Sequence, residues 1–326
     1  MTTSQPNPFL STRDWYDSRV GRYQYDFIKQ VLDAYQPDVI VCTQLVMPAF
    51  VLAEIVKIPL IVIGYCEYLF PGIDDTCSSK QWRIESLTQH YNNLRENLGL
   101  PLVTADPATT PLIGDKYLLR SIPQLTTETN LPSQVELVGG LIFEPPYVNV
   151  DMDNFIATSQ ENNRPLYYVQ IGRLFNDRHL WDKLICILGN LPVNFILDLS
   201  RSDYVNEHIE FPDNFYLHPL VTIAYIKDAV LGVICSGQTT SVLSAIYHGK
   251  PVLGIPNSAD GAEGTDRIVK HGIGAGIFST DDMREDVFMY FFSEVERGIF
   301  EDKLHYFQTH LLSYEDDDQL LQRSFT

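Results

Sequence analysis

The stretch Val233–Asp260 constrains this chain more than any other. An apolar run, Val230–Cys235, leads into it, short and β-branched enough to be a buried strand. Ser236 and Gly237 break that pattern. Thr239, Thr240 and Ser241 supply N-cap chemistry for a helix that carries Val242, Leu243, Ala245 and Ile246 on its inner side. Gly249 stands where a left-handed helix end is needed, and Pro251 cannot continue the helix. Val252–Ile255 reads as a second buried strand, closed by Pro256. Strand–loop–helix–strand units of this kind are almost always right-handed with parallel strands, so the fold class expected is α/β.

Parallel α/β sheets hold their ligands outside the carboxyl ends of the strands. Two segments fall there, Ser236–Ser241 and Asn257–Thr265, both read as loops. The first offers glycine, hydroxyls and a helix N-terminus, which suit an anion such as a diphosphate. The same Thr-Thr-Ser run also serves as a plain helix cap, and spacing alone does not separate the two readings.

From Cys235 onward the chain resembles the donor-binding box of GT-B glycosyltransferases, family 1 UDP-glycosyltransferases in particular. That box reads Thr-His-Gly-Gly-x-x-Ser-x-x-Glu-Ala, followed by Gly-x-Pro, Pro-x-x-x-Asp-Gln and a closing Gly-x-Gly. The chain matches it at Gly237, Ser241, Ala245, Gly249, Pro251, Pro256, Asp260, Gly272 and Gly274. It departs at Ser236 for the His, Gln238 for the second Gly, Ser244 for the Glu and Gly261 for the Gln. The resemblance implies two Rossmann-like domains of the GT-B type, with a nucleotide sugar bound in the cleft between them. It further implies that Ser236, Gly237, Gln238, Thr239, Thr240 and Ser241 meet the diphosphate, and that Asp260 meets the sugar. No cofactor or metal is implied; a UDP- or dTDP-linked donor enters as substrate, and a hexose passes to an unnamed acceptor with inversion. The alternative is a non-catalytic homologue acting as a binding or partner subunit.

The rest of the chain fits that frame. Its 326 residues suggest two domains, and hydrophobic residues at 45% are ample for their cores. A net charge of −19 argues against nucleic acid and against an anionic membrane surface. Cys42, Cys66, Cys77, Cys186 and Cys235 show no pairing or metal spacing, which fits a reducing cytoplasm. The apolar region Val39–Ile63 is interrupted by Pro48, Glu54, Lys57 and Pro59, too often for a membrane span.

In order, Trp15–Tyr35 reads as a helix, Val39–Cys42 as a strand, Pro48–Val56 as a helix and Leu60–Ile63 as a strand. A helix over Arg83–Gly99 follows, then strands near Leu118–Pro123 and Val135–Gly140. Residues 1–143 are taken as the first domain, the Pro- and Asn-rich 144–163 as a linker, and 164–326 as the donor-binding domain. The strand Leu166–Ile171 ends at Gly172 and Arg173, which the resemblance makes phosphate contacts; Arg173 reads equally as a surface arginine. Leu180–Leu188 is read as a helix, and Phe195–Leu199 and Phe215–Leu217 as strands. His218 then stands near the place where the family holds the base, while Leu220 replaces its Gln.

Nothing before Val39 resembles the family's first strand and glycine loop with its catalytic His, and His90 is the only histidine in the first domain. No catalytic residue is therefore assigned. The first domain is expected to be incomplete, with its sheet edge covered by Trp15–Tyr35, by a second copy or by a partner chain. Turnover by this chain alone is expected to be weak or absent. Gly237→Val combined with Ser241→Ala is expected to weaken nucleotide binding and leave the fold intact.

Overall fold

The computed structural model describes residues 18–65, 78–104, 111–126, 131–171, 178–199, 211–256 and 258–314. They divide into two compact units, with the division between Gly139 and Gly140.

The first unit runs α1 (Ser18–Tyr35), β1 (Ile40–Thr43), α2 (Met47–Val56), β2 (Leu60–Gly64), α3 (Ser78–Asn97), β3 (Lys116–Leu119) and β4 (Val135–Leu137). Its strands form a parallel sheet in the order β1-β2-β3-β4. Short apolar runs between helices make such a sheet because each crossover returns the chain in the same direction. Phe50, Leu52, Val62, Tyr91 and Tyr117 fill the core between the sheet and its helices. The helix α1 packs on α2 and α3. Arg95, buried on α3, donates to Glu54 on α2, to the Tyr91 hydroxyl and to the Pro101 carbonyl. This one guanidinium ties two helices and the turn after α3 together.

The second unit runs α4 (Val150–Glu161), β5 (Leu166–Gln170), α5 (Arg178–Gly189), β6 (Asn194–Asp198), β7 (Phe215–His218), α6 (Ile223–Ile226), β8 (Gly232–Cys235), α7 (Thr239–Tyr247), β9 (Val252–Gly254), α8 (Ala259–His271), β10 (Gly274–Gly276), α9 (Glu285–Glu296) and α10 (Glu301–Ser313). Among the described residues its strands pair in parallel, in the order β10-β9-β8-β5-β6-β7. The strands β6, β8 and β9 are buried along their whole length, as a parallel sheet covered on both faces requires. Tyr167, Trp181, Phe195, Phe288 and Phe292 pack one of those faces.

Strand order decides where a ligand belongs. From β5 the chain builds outward through β6 to β7, then crosses back to place β8 on the other side of β5. The carboxyl ends of β5 and β8 therefore flank a topological switch point, where loops diverge and leave a crevice.

Several expectations change here. From Ser258 onward the stretch read as the second loop is helical: Ser258 caps α8, its Oγ accepting from the Gly261 amide at 3.2 Å, and the helix holds Ala259–His271. Gly261 and Gly264 in its first half depress intrinsic helicity, so packing rather than propensity holds this stretch. The N-cap of α7 is Gln238, not one of the hydroxyl residues, which already lie inside its first turn. The strand β10 pairs Gly274 with Val252 and Gly276 with Gly254, without any β-branched residue to announce it. Within the stretch read as a linker, residues 150–161 form α4, capped by Asn149 Oδ1.

Candidate functional site

At the end of β8 the chain turns through Ser236 and Gly237 into α7. Gly237 takes a φ of +73°, and a Cβ on it would come 2.2 Å from Thr265 Oγ1 and 2.3 Å from the Gly261 carbonyl oxygen. In return, a Cβ on Gly261 would meet the Ser236 carbonyl oxygen at 2.3 Å, and one on Gly264 the Gly237 oxygen at 2.0 Å. Loop and helix α8 are thus packed backbone on backbone. This corrects the expectation for Gly237→Val: a branched side chain here drives α8 off the loop and damages the fold.

That close approach brings Asp260, in the first turn of α8, to the same rim as Ser236–Ser241. Within the rim Ser236, Thr239 and Ser241 are buried, Gln238 is half-buried and Thr240 is exposed. The helix α7 directs its positive end into the switch point. Beside it, burial pushes the Cys235 thiol up to about 12, so this cysteine is an inert packing group.

A polar chain that sequence reasoning missed backs this rim. Ser241 Oγ donates to Gln170 Oε1 at 2.5 Å. Gln170 Nε2 donates to Asp198 Oδ2 at 3.0 Å, and the Tyr168 hydroxyl lies 2.9 Å from the same oxygen. Burial and the Asp198 charge push the Tyr168 hydroxyl well above the ordinary tyrosine value, so it remains a donor. Gln170 and Asp198 are the last residues of β5 and β6. A polar residue ending an otherwise apolar buried strand was the available signal.

His218 ends β7, three strands from β8, about 14 Å away across the sheet at the usual strand spacing. Its ring stacks parallel to Tyr147 at 5.9 Å, and Nδ1 lies 2.6 Å from the Leu220 carbonyl oxygen. The structure therefore groups Ser236–Ser241 with Asp260 and sets His218 apart at the far end of the sheet. Gly172 and Arg173 lie outside the described residues.

A second unanticipated cluster anchors the segment before α4. Glu144 accepts from Ser244 Oγ at 2.6 Å and from the Ala224 amide at 3.0 Å, and its Oε2 lies 2.6 Å from His248 Nε2. Burial alone would raise the Glu144 pKa. The hydrogen bonds from His248, Ser244 and Ala224 outweigh it and hold the carboxyl below the ordinary glutamate value. Tyr147 and Asn149 extend the same anchorage, Tyr147 stacking on Tyr225 at 4.6 Å and Asn149 Oδ1 accepting from the Tyr216 hydroxyl at 3.1 Å.

Among the described residues no group of three His, Cys, Asp or Glu side chains is placed to hold a metal, and no helix is long and apolar enough to cross a membrane.

No family model matches the chain. It is 24% identical over 185 residues to a PGL/p-HBAD biosynthesis glycosyltransferase of Mycobacterium tuberculosis, covering 56% of this chain and 41% of that protein. It is 23% identical over 289 residues to a PGL/p-HBAD biosynthesis rhamnosyltransferase of Mycobacterium bovis, covering 81% of this chain and 62% of that one. The chain thus spans less than two thirds of the length of these relatives.

Among solved structures, the glycotransferase of kitacinnamycin superposes with a TM-score of 0.68 at 16% identity, covering 95% of this chain and 82% of that one. The spinosyn rhamnosyltransferase SpnG complexed with thymidine diphosphate gives 0.66 at 15% identity, covering 94% and 81%. The glycosyltransferase VinC in complex with dTDP gives 0.60 at 16%, covering 94% and 76%. The fold is that of the GT-B glycosyltransferases.

Proposed function

We propose that the chain is a sugar transferase whose second unit holds a nucleotide-sugar donor, dTDP- or UDP-linked, with the diphosphate on Gly237–Ser241 at the N-terminus of α7. The carrying observation is that this helix end opens at the switch point between β5 and β8. Two structural neighbours determined with thymidine diphosphate support the donor class. The first-turn amides of α7 and its macrodipole favour the anion and stabilise the charge that grows on the leaving diphosphate. Asp260, on the same rim, accepts from sugar hydroxyls. An acceptor hydroxyl then attacks the anomeric carbon in line from the opposite face of the sugar, with inversion. The new glycosidic bond forms as the bond to the diphosphate oxygen breaks, and the nucleoside diphosphate leaves. The hydroxyl proton passes to a general base or to solvent, and the donor is consumed as substrate without a further cofactor.

Thr240→Asp tests the placement. Thr240 is exposed in the first turn of α7, where a carboxylate stabilises the helix by about 0.3–1 kcal/mol. The same charge repels a diphosphate seated there, so affinity for thymidine diphosphate measured by calorimetry should fall roughly tenfold or more. A folded variant that binds as tightly as the unaltered protein would overturn the placement.

A further inference from the structure

The polar chain behind the rim has a direction. As a carboxylate, Asp198 offers only acceptors, so the Gln170 group 3.0 Å from it must be the amide nitrogen. Turning the Gln170 amide over would set two oxygens at that distance with no hydrogen between them. The nitrogen's place fixes the oxygen's place, and Gln170 Oε1 faces Ser241 Oγ at 2.5 Å. An amide oxygen cannot donate, so Ser241 must give it its only hydrogen. The hydroxyl that stands in the first turn of α7 is left with lone pairs and no hydrogen for an incoming anion.

We propose that Asp198, acting through Gln170, is the positioning residue that turns the Ser241 hydrogen away from the α7 N-terminus and thereby limits how tightly that terminus holds a diphosphate. This rests on the diphosphate placement proposed above. A phosphate oxygen is an acceptor, and to meet Ser241 it must compete with Gln170 for one hydrogen. The pair also confers a preference: at this point the site receives a group that donates more readily than one that only accepts. Neither Asp198 nor Gln170 touches the ligand; both act through the orientation of Ser241.

The test compares thymidine diphosphate with thymidine by calorimetry, so that the ratio of the two affinities reports the diphosphate alone. Gln170→Ala and Asp198→Ala each release the Ser241 hydrogen, the second by removing the acceptor that fixes which way the Gln170 amide faces, while the Tyr168 hydroxyl keeps the Val221 carbonyl as its acceptor. Each should raise the ratio about two- to tenfold, the range for one neutral hydrogen bond. Thymidine binding itself should not change. Adding Ser241→Ala to Gln170→Ala should remove the gain, which a merely structural role for Gln170 does not predict. Asp198 is buried among strand ends, so if its variant fails to fold, the Gln170 pair carries the test alone. Equal affinity for the two ligands in the unaltered protein would overturn the diphosphate placement, and the relay with it. A clear preference for the diphosphate that neither variant enlarges, or a gain that survives Ser241→Ala, would overturn the relay alone.

Discussion

Gly237→Ala isolates the contact that joins the candidate site to the fold, and Gly272→Ala supplies its control. Both glycines lie in the left-handed region, at φ +73° and +66°, so both replacements incur the same backbone strain, about 1 kcal/mol. They differ in what the new methyl meets. At Gly272 nothing lies within 4 Å, whereas at Gly237 the methyl falls 2.2 Å from Thr265 Oγ1 and 2.3 Å from the Gly261 carbonyl oxygen. The Gly261 oxygen belongs to the backbone of α8 and cannot swing aside, so the helix itself must shift. Forcing one methyl group into a packed site of this kind costs about 1–3 kcal/mol. The expected totals are about 1 kcal/mol for Gly272→Ala and about 2–4 kcal/mol for Gly237→Ala. In a unit of this size each kcal/mol lowers the melting temperature by about 2–4 °C. Scanning calorimetry should therefore place Gly237→Ala about 2–12 °C below Gly272→Ala. Equal melting temperatures would refute the backbone-on-backbone packing of loop and α8.

Glu144→Gln should destabilise the second unit near neutrality. The folded Glu144 pKa lies below its ordinary value of 4.5, so its contribution is present above that value and fades as pH falls through the folded one. The deficit of the variant in thermal melts should accordingly shrink well below pH 4.5, and a deficit that does not vary with pH would contradict the anchorage. In the first unit, Arg95→Ala orphans the Tyr91 hydroxyl and the Pro101 carbonyl but leaves Glu54 half-exposed and able to rehydrate. Urea unfolding should show a loss of about 2–3 kcal/mol, and a loss well under 1 kcal/mol would rule out the tie.

Much of this architecture is legible from apolar runs. Val230–Cys235 and Val252–Ile255 contain β8 and β9 because a strand buried on both faces has no room for alternation. The helix α8 escaped notice because Gly261 and Gly264 are there for close approach to Ser236 and Gly237, contacts that lie far away along the chain. The strand β10 is set by its pairing with β9 rather than by its own Gly-Ala-Gly. The Thr-Thr-Ser run looked like a cap, yet Ser241 spends its hydrogen on Gln170, seventy-one residues earlier. Gln170 and Asp198 could be grouped with the rim only once the strand order was known, since chain distance conceals which strand ends are neighbours.

The most direct measurement of the central claim is a titration of the protein with thymidine diphosphate followed through its backbone amide resonances. The account predicts saturable shifts concentrated on Gly237–Ser241, with smaller ones at Asp260 and Gly261. Saturable binding that leaves the amides of the α7 first turn unmoved would contradict it.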